Sequence, residues 1–243
     1  MQPAVLTWTV RPPAAPEDLA RFAPLPGLAA QVLLNRGLED AAAAEHFLQP
    51  DYRHLADPLR MKGMAEATAR IAQALAGGER ITVYGDFDAD GVTSATLLVQ
   101  ALRHMGGQVE CYIPHRAEEG YGLNAEAVEA LVAAGTRLLI TVDCGISNSA
   151  EVARANALGA DVIVTDHHLP PAELPPALAI LNPRQEGCGY PFKRMAGVGI
   201  AFTLVRGLSK AGVACHGLRG RDLLDLVALG TVADVAPLVG ENR

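Results

Sequence analysis

The sequence predicts an α/β fold: a parallel β-sheet with helices on both faces, preceded by a small helical N-terminal extension. Half of the 243 residues are hydrophobic, which is enough to fill a sizeable core. From residue 81 onwards, short apolar runs alternate with longer stretches of helix-forming residues, and glycine pairs end several of them. This alternation implies right-handed crossovers, and therefore parallel strands covered on both faces.

The extension comprises residues 1–62, where prolines punctuate helical signals at 16–22 and 38–47. The second signal, LEDAAAAEHF, contains strong helix formers throughout. The sheet domain is expected to span residues 63–236. It opens with a helix at 64–76, which Gly77-Gly78 ends.

Strands and helices then alternate along the sheet domain. The first apolar run, ITVYGD, predicts a strand because β-branched and aromatic residues dominate it. Asn124 is a suitable N-cap for a later helix, and Gly106-Gly107 closes an earlier one. The predicted strands are 81–86, 108–114, 136–143, 161–168 and 178–181. The predicted helices are 91–105, 124–135, 147–159, 197–212 and 221–238.

Composition narrows the classes of function. The formal net charge of −7 argues against a broad basic face that binds nucleic acid by charge alone, although bound divalent metals would change the local balance. The four cysteines (Cys111, Cys144, Cys188 and Cys215) form no CxxC pair, which argues against a zinc knuckle and indicates a reducing, cytoplasmic compartment. The sequence carries no secretory signal pattern, and no apolar run approaches the ~20 residues of a membrane span.

Three aspartates follow the first predicted strand in the stretch GDFDADG: Asp86, Asp88 and Asp90. A polar turn with one N-cap would need a single carboxylate, whereas each additional one adds repulsion. An EF-hand loop is excluded, because its twelfth position would be Leu97 instead of glutamate and a strand precedes the loop. The cluster therefore favours a metal site.

Further polar residues follow later strands, at the edge where open parallel sheets bind ligands. Asp143 follows the run TRLLITV; taken alone it also suits a turn or a helix cap. Asp166-His167-His168 follows DVIVT, and its imidazoles suit one metal ligand and one group directed at substrate. Asp166 is then expected to orient a neighbouring imidazole.

Each of the other candidates also has a structural alternative. Asp234 is an acid in an apolar helical stretch, either a metal ligand or an exposed helix-end residue. Arg116 is a candidate phosphate clamp or an ion-pair partner of Glu118 or Glu119, and His115 is more weakly indicated. The last candidates either contact substrate or serve turns and helix packing: Asn182, Arg184, Gly197 and Gly199.

Taken together, these motifs resemble the DHH phosphoesterase superfamily, and within it the RecJ-type single-strand-specific exonucleases. VYGDFDADGVTSA, LLITVDCGIS, VIVTDHHLPP and ALGTVADVAPLVGENR resemble the four superfamily motifs, in order. YIPHRAEEGYGLN and NPRQEGCGYPFKRMAGVGIAF resemble segments typical of the RecJ type. Any one motif would be weak support, whereas the ordered set is specific.

The resemblance implies a centre with two divalent metals, Mn²⁺ or Mg²⁺. Asp143 would bridge the metals, and His168 would face the scissile phosphate. Asp86 lies near the start of the first motif and would be either a ligand or a supporting group. Other branches of the superfamily carry a histidine at the position of Tyr84 in this chain. The ligands implied firmly are Asp88, Asp90, Asp143, His167 and Asp234.

The implied function is 5′→3′ hydrolysis of single-stranded DNA in repair and recombination, by a cytoplasmic and monomeric enzyme. Single-strand-binding protein and a helicase are the implied partners, and no membrane is involved. Residues 237–243 are expected to begin a linker to a further C-terminal domain that binds substrate. The alternatives are a DHH phosphodiesterase acting on oligonucleotides or cyclic dinucleotides, or a non-catalytic DHH protein that binds DNA or the replisome.

Overall fold

The N-terminal helices form a compact unit of their own. The computed structural model describes residues 9–243, and these divide into one unit that extends to Leu55 and includes Arg243, and a second unit, Ala56–Asn242. The first unit contains helices α1 (Pro16–Ala20), α2 (Gly27–Asn35) and α3 (Ala41–Leu48). Their apolar faces meet in a small core of Phe22, Ala30, Leu33 and Ala44.

Helix α2 lies outside the predicted helices. Prolines at 24 and 26 precede it, and Pro26 stands at its N-cap. Proline is well suited to the start of a helix, because the N–H group that it lacks would have no hydrogen-bond partner within the helix at that position. The helical signals predicted for the extension, at 16–22 and 38–47, did not include this segment.

The second unit alternates strands and helices as predicted. It opens with α4 (Met64–Gly77) and closes with α8 (Gly197–Lys210) and α9 (Leu224–Ala233). Between them the strands are β1 (Arg80–Gly85), β2 (Gln108–Tyr112), β3 (Leu138–Val142), β4 (Asp161–Thr165) and β5 (Ala179–Leu181). The intervening helices are α5 (Ala89–His104), α6 (Ala125–Ala133) and α7 (Ser149–Ala157). Short 3₁₀ turns lie at Tyr52–His54, Pro58–Arg60, Gly220–Leu223 and Gly240–Asn242.

All of these strands are parallel, in the order β2-β1-β3-β4-β5. The chain runs outward from β1 to β2 and then returns to the other side of β1 to form β3. Strand order therefore reverses between β1 and β3. Open α/β sheets bind ligands at such a switch point, beyond the carboxyl ends of the strands.

Helices cover both faces of the sheet, which confirms the predicted fold class. On one face, α6 and α7 pack over a core that includes Tyr84, Leu139, Val162 and Val164. On the other face α5 lies against β1, β2 and β3, and α8 lies against β3 and β4. Helix α5 also packs directly on α8 and α9, which brings three helix ends close to the carboxyl edge of the sheet.

Several predicted elements extend too far at their carboxyl ends. The strands predicted to end at Asp86, Asp143 and His168 end instead at Gly85, Val142 and Thr165. The polar side chains thus lie just beyond the sheet, after the last paired residue of each strand. The helix predicted over 221–238 begins with a 3₁₀ turn and ends at Ala233, ahead of Pro237.

No helix within residues 9–243 is long and apolar enough to cross a membrane.

A charged clamp holds the opposite edge of the sheet. Arg70 of α4 lies with Nε 2.6 Å from the Asp161 carboxylate and Nη2 2.6 Å from the Glu79 carboxylate. Its side chain is only 10% exposed, so it joins the starts of β1 and β4 through a nearly buried guanidinium.

Arg70→Ala is expected to lower the free energy of unfolding by about 1–3 kcal/mol, because it leaves two carboxylates unpaired and opens space beneath them. Arg70→Lys retains the charge but not the two-pronged geometry, so its effect should be smaller. Denaturant unfolding measures both variants. A change of less than about 0.5 kcal/mol for Arg70→Ala would contradict the clamp.

Candidate metal centre

Four polar residues lie in register at the carboxyl edge of the sheet. Strand pairing matches Gly85 with Val142, Val142 with Thr165, and Thr165 with Leu181. The next residue in each strand is therefore part of one row that crosses four neighbouring strands: Asp86, Asp143, Asp166 and Asn182. Parallel register thus brings together residues that lie far apart in the sequence.

The loop from β1 to α5 gives its three aspartates different environments. Asp86 is buried, and its Oδ1 has no hydrogen-bond partner. Asp88 is exposed and caps α5 by accepting a hydrogen bond from Gly91 N–H at 2.9 Å. A side chain at position 91 would lie 2.5 Å from the Asp86 carbonyl oxygen, so glycine is required for this close turn.

Asp90 is buried and binds the N-terminus of α8. Its Oδ2 accepts from Gly197 N–H at 2.6 Å, and its Oδ1 accepts from Val198 N–H at 2.8 Å. The helix dipole and the unpaired N–H groups stabilise a carboxylate there. The hypothesis that Gly197 binds a substrate anion is therefore wrong, because Asp90 already occupies that N–H. The Gly199 N–H is also used, by the Ala196 carbonyl at 3.1 Å.

Asp143 lies at the centre of the row in a strained backbone conformation. Its φ is 62°, a left-handed value that few residues other than glycine adopt. The side chain is 2% exposed, and its Oδ1 lies 3.1 Å from His167 Nε2. Gly197 lies against it so closely that an added Cβ would stand 2.8 Å from Asp143 Oδ1.

His167 joins Asp143 to two other acids. Its Nε2 lies 4.0 Å from Asp90 Oδ2, and its Nδ1 lies 3.8 Å from Asp234 Oδ2. Asp234 follows α9 directly and is one-quarter exposed. Asp234 lies at the end of α9, as one of the two alternatives had it, because the helix ends one residue earlier, and its carboxylate is directed towards His167.

His168 is held by Asp166 and leaves one nitrogen free. Asp166 Oδ1 lies 2.7 Å from His168 Nδ1 and also accepts from the His168 backbone N–H at 3.0 Å. A carboxylate that accepts a hydrogen bond at Nδ1 keeps a proton on that nitrogen, and Nε2 then points away from the carboxylate. The ring is about half exposed, so Nε2 can reach a bound molecule. Asp166 thus occupies the orienting position expected for it.

Tyr121 is a residue of this centre that sequence reasoning missed. Its hydroxyl lies 3.2 Å from His168 Nδ1 and 3.5 Å from the Asp143 carbonyl oxygen. In the sequence, the GYG turn that contains it stands out only as a neighbour of Arg116, and nothing in local spacing links it to His168. Tyr84 lies elsewhere: its hydroxyl donates to the Gly122 carbonyl at 3.2 Å and accepts from Asn124 N–H at 3.3 Å.

The remaining candidates lie around the centre. Arg116 stacks over Phe87 with its guanidinium carbon 5.0 Å from the ring centroid, and it makes no ion pair with Glu118 or Glu119 among the described residues. His115 points outward, 3.8 Å from Glu118. Asn182 is buried and donates to the His168 carbonyl at 2.8 Å, so it supports the histidine loop instead of facing substrate. Arg184 is exposed beyond that loop.

The donor atoms form three overlapping groups that suit divalent cations. Within each group the ligand atoms lie within 4.8 Å of one another. Asp143 belongs to two groups, and so does His167. The groups are Asp86–Asp88–Asp143, Asp143–His167–His168 and Asp90–His167–Asp234. Carboxylates mixed with imidazole suit Mn²⁺ and related ions, and the shared residues allow two ions side by side.

Electrostatics supports the same assignment. Burial raises the pKa of Asp86, Asp90 and Asp143, and the charges of neighbouring carboxylates raise it further. Burial lowers the pKa of His167, but the carboxylate of Asp143 outweighs this effect and raises the pKa above its usual value. Asp86 Oδ1 is buried without a hydrogen-bond partner, and Asp143 Oδ1 has only its ion-pair contact with His167 Nε2, so a bound cation would satisfy both oxygens.

The family model for the DHH family, N-terminal domain, matches residues 80–231. The chain belongs to the DHH family. The match begins at β1 and reaches into α9, so it contains the whole sheet and the motifs that include Asp90, Asp143 and His168.

Curated relatives with similar sequences are RecJ exonucleases. The chain is 47% identical over 219 residues to the single-stranded-DNA-specific exonuclease RecJ of Bacillus subtilis, a match that covers 89% of this chain and 27% of that protein. It is 42% identical to RecJ of Escherichia coli over 91% of this chain and 39% of that protein. The chain therefore spans well under half the length of these relatives.

Solved structures agree with this assignment. A crystal structure of exonuclease RecJ bound to manganese matches with a TM-score of 0.68 at 43% identity, covering 75% of this chain and 46% of that one. RecJ of Thermus thermophilus in complex with Mn²⁺ matches with a TM-score of 0.76 at 34% identity, covering 95% of this chain and 32% of that one.

Gly197→Ala is expected to weaken Mn²⁺ binding about 10- to 100-fold without removing any ligand, because the new methyl group displaces the Asp143 carboxylate. Isothermal titration calorimetry measures the affinity. Gly77→Ala is the matched control, since its methyl group would meet only Glu79, at 3.7 Å. Equal Mn²⁺ affinity in the two variants would contradict the placement of Asp143 at the centre.

Proposed function

We propose that this chain is the catalytic part of a 5′→3′ exonuclease that hydrolyses single-stranded DNA with two divalent metals, Mn²⁺ or Mg²⁺. The observation that carries the proposal is the set of three donor groups joined through Asp143 and His167 at the switch point of the sheet. The similarity to RecJ exonucleases, and the Mn²⁺ and Mg²⁺ complexes among similar structures, support the substrate and the metals.

Carboxylates and one imidazole of this centre would hold the metals. The residues that would hold the metals are Asp86, Asp88, Asp90, Asp143, His167 and Asp234, and Asp143 belongs to two of the donor groups. Bound metals would supply Lewis acidity, activate water and stabilise charge on the phosphate oxygens. The carboxylates hold their positions beforehand, because the α8 N-terminus fixes Asp90 and the close contact with Gly197 confines Asp143.

His168 is the proposed acid for the leaving oxygen. Its hydrogen bond to Asp166 raises the pKa of His168, which favours the protonated imidazole. Nδ1 stays on Asp166, and Nε2 is then the nitrogen that donates the proton. Tyr121, beside the same ring, limits its rotation.

Arg116 is the proposed phosphate clamp. It lies close enough to Asp86 to influence the charge of that carboxylate, and its guanidinium is exposed and free of acidic partners among the described residues. Stacking on Phe87 holds the guanidinium plane while leaving its edge N–H groups available for a phosphate oxygen.

The biological setting is proposed on the same similarity. The enzyme would act in DNA repair and recombination in the cytoplasm, as a monomer, with single-strand-binding protein and a helicase as partners. The four cysteines are free thiols, in keeping with a reducing compartment. Further substrate contacts are expected from a C-terminal domain connected through a linker that begins at residues 237–243, because the relatives are longer than this chain.

Asp143→Asn is expected to reduce Mn²⁺-dependent nucleotide release about 10³-fold, because the shared carboxylate loses its charge. Strands labelled at the 5′ or the 3′ end report which end is degraded. Asp225→Asn, an exposed acid in the first turn of α9, is the control and should retain full activity. Full activity in Asp143→Asn would refute the two-metal scheme. Preference for 3′ ends or cyclic dinucleotides would favour another DHH phosphodiesterase.

Mn²⁺ is expected to stabilise the folded chain even without substrate. At 100 times its dissociation constant it should raise the free energy of unfolding by about 2.7 kcal/mol, because it binds only the assembled ligands. Denaturant unfolding with and without Mn²⁺ measures this effect. NaCl at equal ionic strength is the control, since it screens repulsion without coordinating. An equal gain from NaCl would show that no specific site exists.

A further inference from the structure

A cationic cavity opens beside the metal centre and contains none of the proposed metal ligands. Its volume is about 480 Å³, and the loop between β5 and α8 forms most of its wall. Leu169, the residue after His168, stands at its rim with 76% of its surface exposed. The cationic side chains in its lining are Arg184, Lys193 and Arg194.

The positive charge here contrasts with the rest of the chain. The protein carries a net charge of −7, yet two of its three lysines, Lys62 and Lys193, lie at this loop. Within residues 9–243, no acidic side chain forms an ion pair with Lys62, Arg184, Lys193 or Arg194. Lys62 donates instead to the Glu186 carbonyl at 2.9 Å. The charge is therefore available to an external anion.

Hydrogen bonds hold this loop in place. Lys193 Nζ donates to the Cys188 carbonyl at 2.8 Å, and Arg184 Nε donates to the Lys193 carbonyl at 3.2 Å. Asn242 fixes the Arg194 backbone by donating to its carbonyl at 2.7 Å. These bonds use only part of the donor capacity of each cation, so several N–H groups remain for a ligand.

One asparagine connects the cavity to the metal centre. Asn182 Nδ2 donates to the His168 carbonyl at 2.8 Å, and Asn182 Oδ1 accepts from the Arg184 backbone N–H at 2.8 Å. The buried side chain thus fixes the loop of His168 and the start of the cationic loop relative to each other. Leu169, which directly follows His168, lines the same cavity as the cations.

We propose that this cavity binds a backbone phosphate of the single strand beyond the scissile one, with Leu169 packed against the adjoining sugar or base. The inference rests on the proposed function, since it concerns the same substrate. Phosphate diesters match exposed Arg and Lys donors, and an apolar rim suits the stacked or sugar surface of a single strand. The cavity then determines how firmly longer strands are held, while the metal centre performs the chemistry.

The test uses the 243-residue chain and the double variant Lys193→Gln/Arg194→Gln. For nucleotide release from (dT)₁₅ with Mn²⁺, KM should rise about tenfold while kcat stays unchanged, because binding alone is weakened. Release from (dT)₂, whose single internucleotide phosphate is the scissile one, should not change. Arg137→Gln is the matched control, an exposed arginine at the opposite edge of the sheet.

A second readout needs no activity. Fluorescence anisotropy of labelled (dT)₁₅ in EDTA reports affinity at several salt concentrations. The slope of log K against log salt should fall in magnitude by about 0.7 for each phosphate that the double variant no longer neutralises. Circular dichroism spectra that match the wild type show that the variant is folded.

The outcomes separate the two proposals. No nucleotide release by the wild type, together with the expected drop in (dT)₁₅ affinity in the variant, would overturn the exonuclease function and support the cavity. Activity in the wild type with unchanged KM, affinity and salt slope in the double variant would overturn the cavity alone. Equal competition against (dT)₁₅ by thymidine monophosphate or inorganic phosphate would mark a site for free anions and overturn the backbone-phosphate assignment.

Discussion

The bond between the Asp90 carboxylate and the N-terminus of α8 is the interaction on which the rest of the centre depends. Two short hydrogen bonds tie the first turn of α5 to α8, although the residues lie more than 100 positions apart. They bring Gly197 against Asp143 and, through the packing of α9 on both helices, Asp234 towards His167. A helix dipole thus offsets part of the cost of burying the first carboxylate.

The buried carboxylates of Asp86 and Asp143 are less well stabilised by the protein than that of Asp90. This difference leaves them available to bind a cation, and it is the physical basis of function. Asp86 is buried with an oxygen that no donor satisfies, Asp143 Oδ1 has only its ion-pair contact with His167, and Asp143 adopts a left-handed backbone conformation. Strain and unsatisfied charge of this kind reduce stability unless something binds. Because the rigid sheet edge and the clamp of Arg70 at the opposite edge hold the scaffold together, the centre can keep its carboxylates close before any cation arrives.

Charge is divided between two neighbouring regions of the same edge. The metal centre concentrates acids, whereas the loop after β5 concentrates lysine and arginine. A polyanionic substrate would be repelled by the first region in the absence of metals and attracted by the second. Asn182 joins the two regions through a pair of hydrogen bonds, so their relative position is fixed by one buried side chain. The negative net charge of the whole chain does not reveal this local separation of acidic and basic residues.

The sequence by itself determined the α/β architecture and the ligand candidates, because apolar periodicity, glycine stops and strand-end aspartates are local signals. It could not decide the role of each residue. Asp88 rather than Asp90 caps α5, Gly197 serves Asp90 rather than a substrate, and Tyr121 lies beside His168. Helix α2, which follows two prolines, was not predicted. These roles depend on strand register and helix packing between distant segments, and such contacts exist only once the chain has folded.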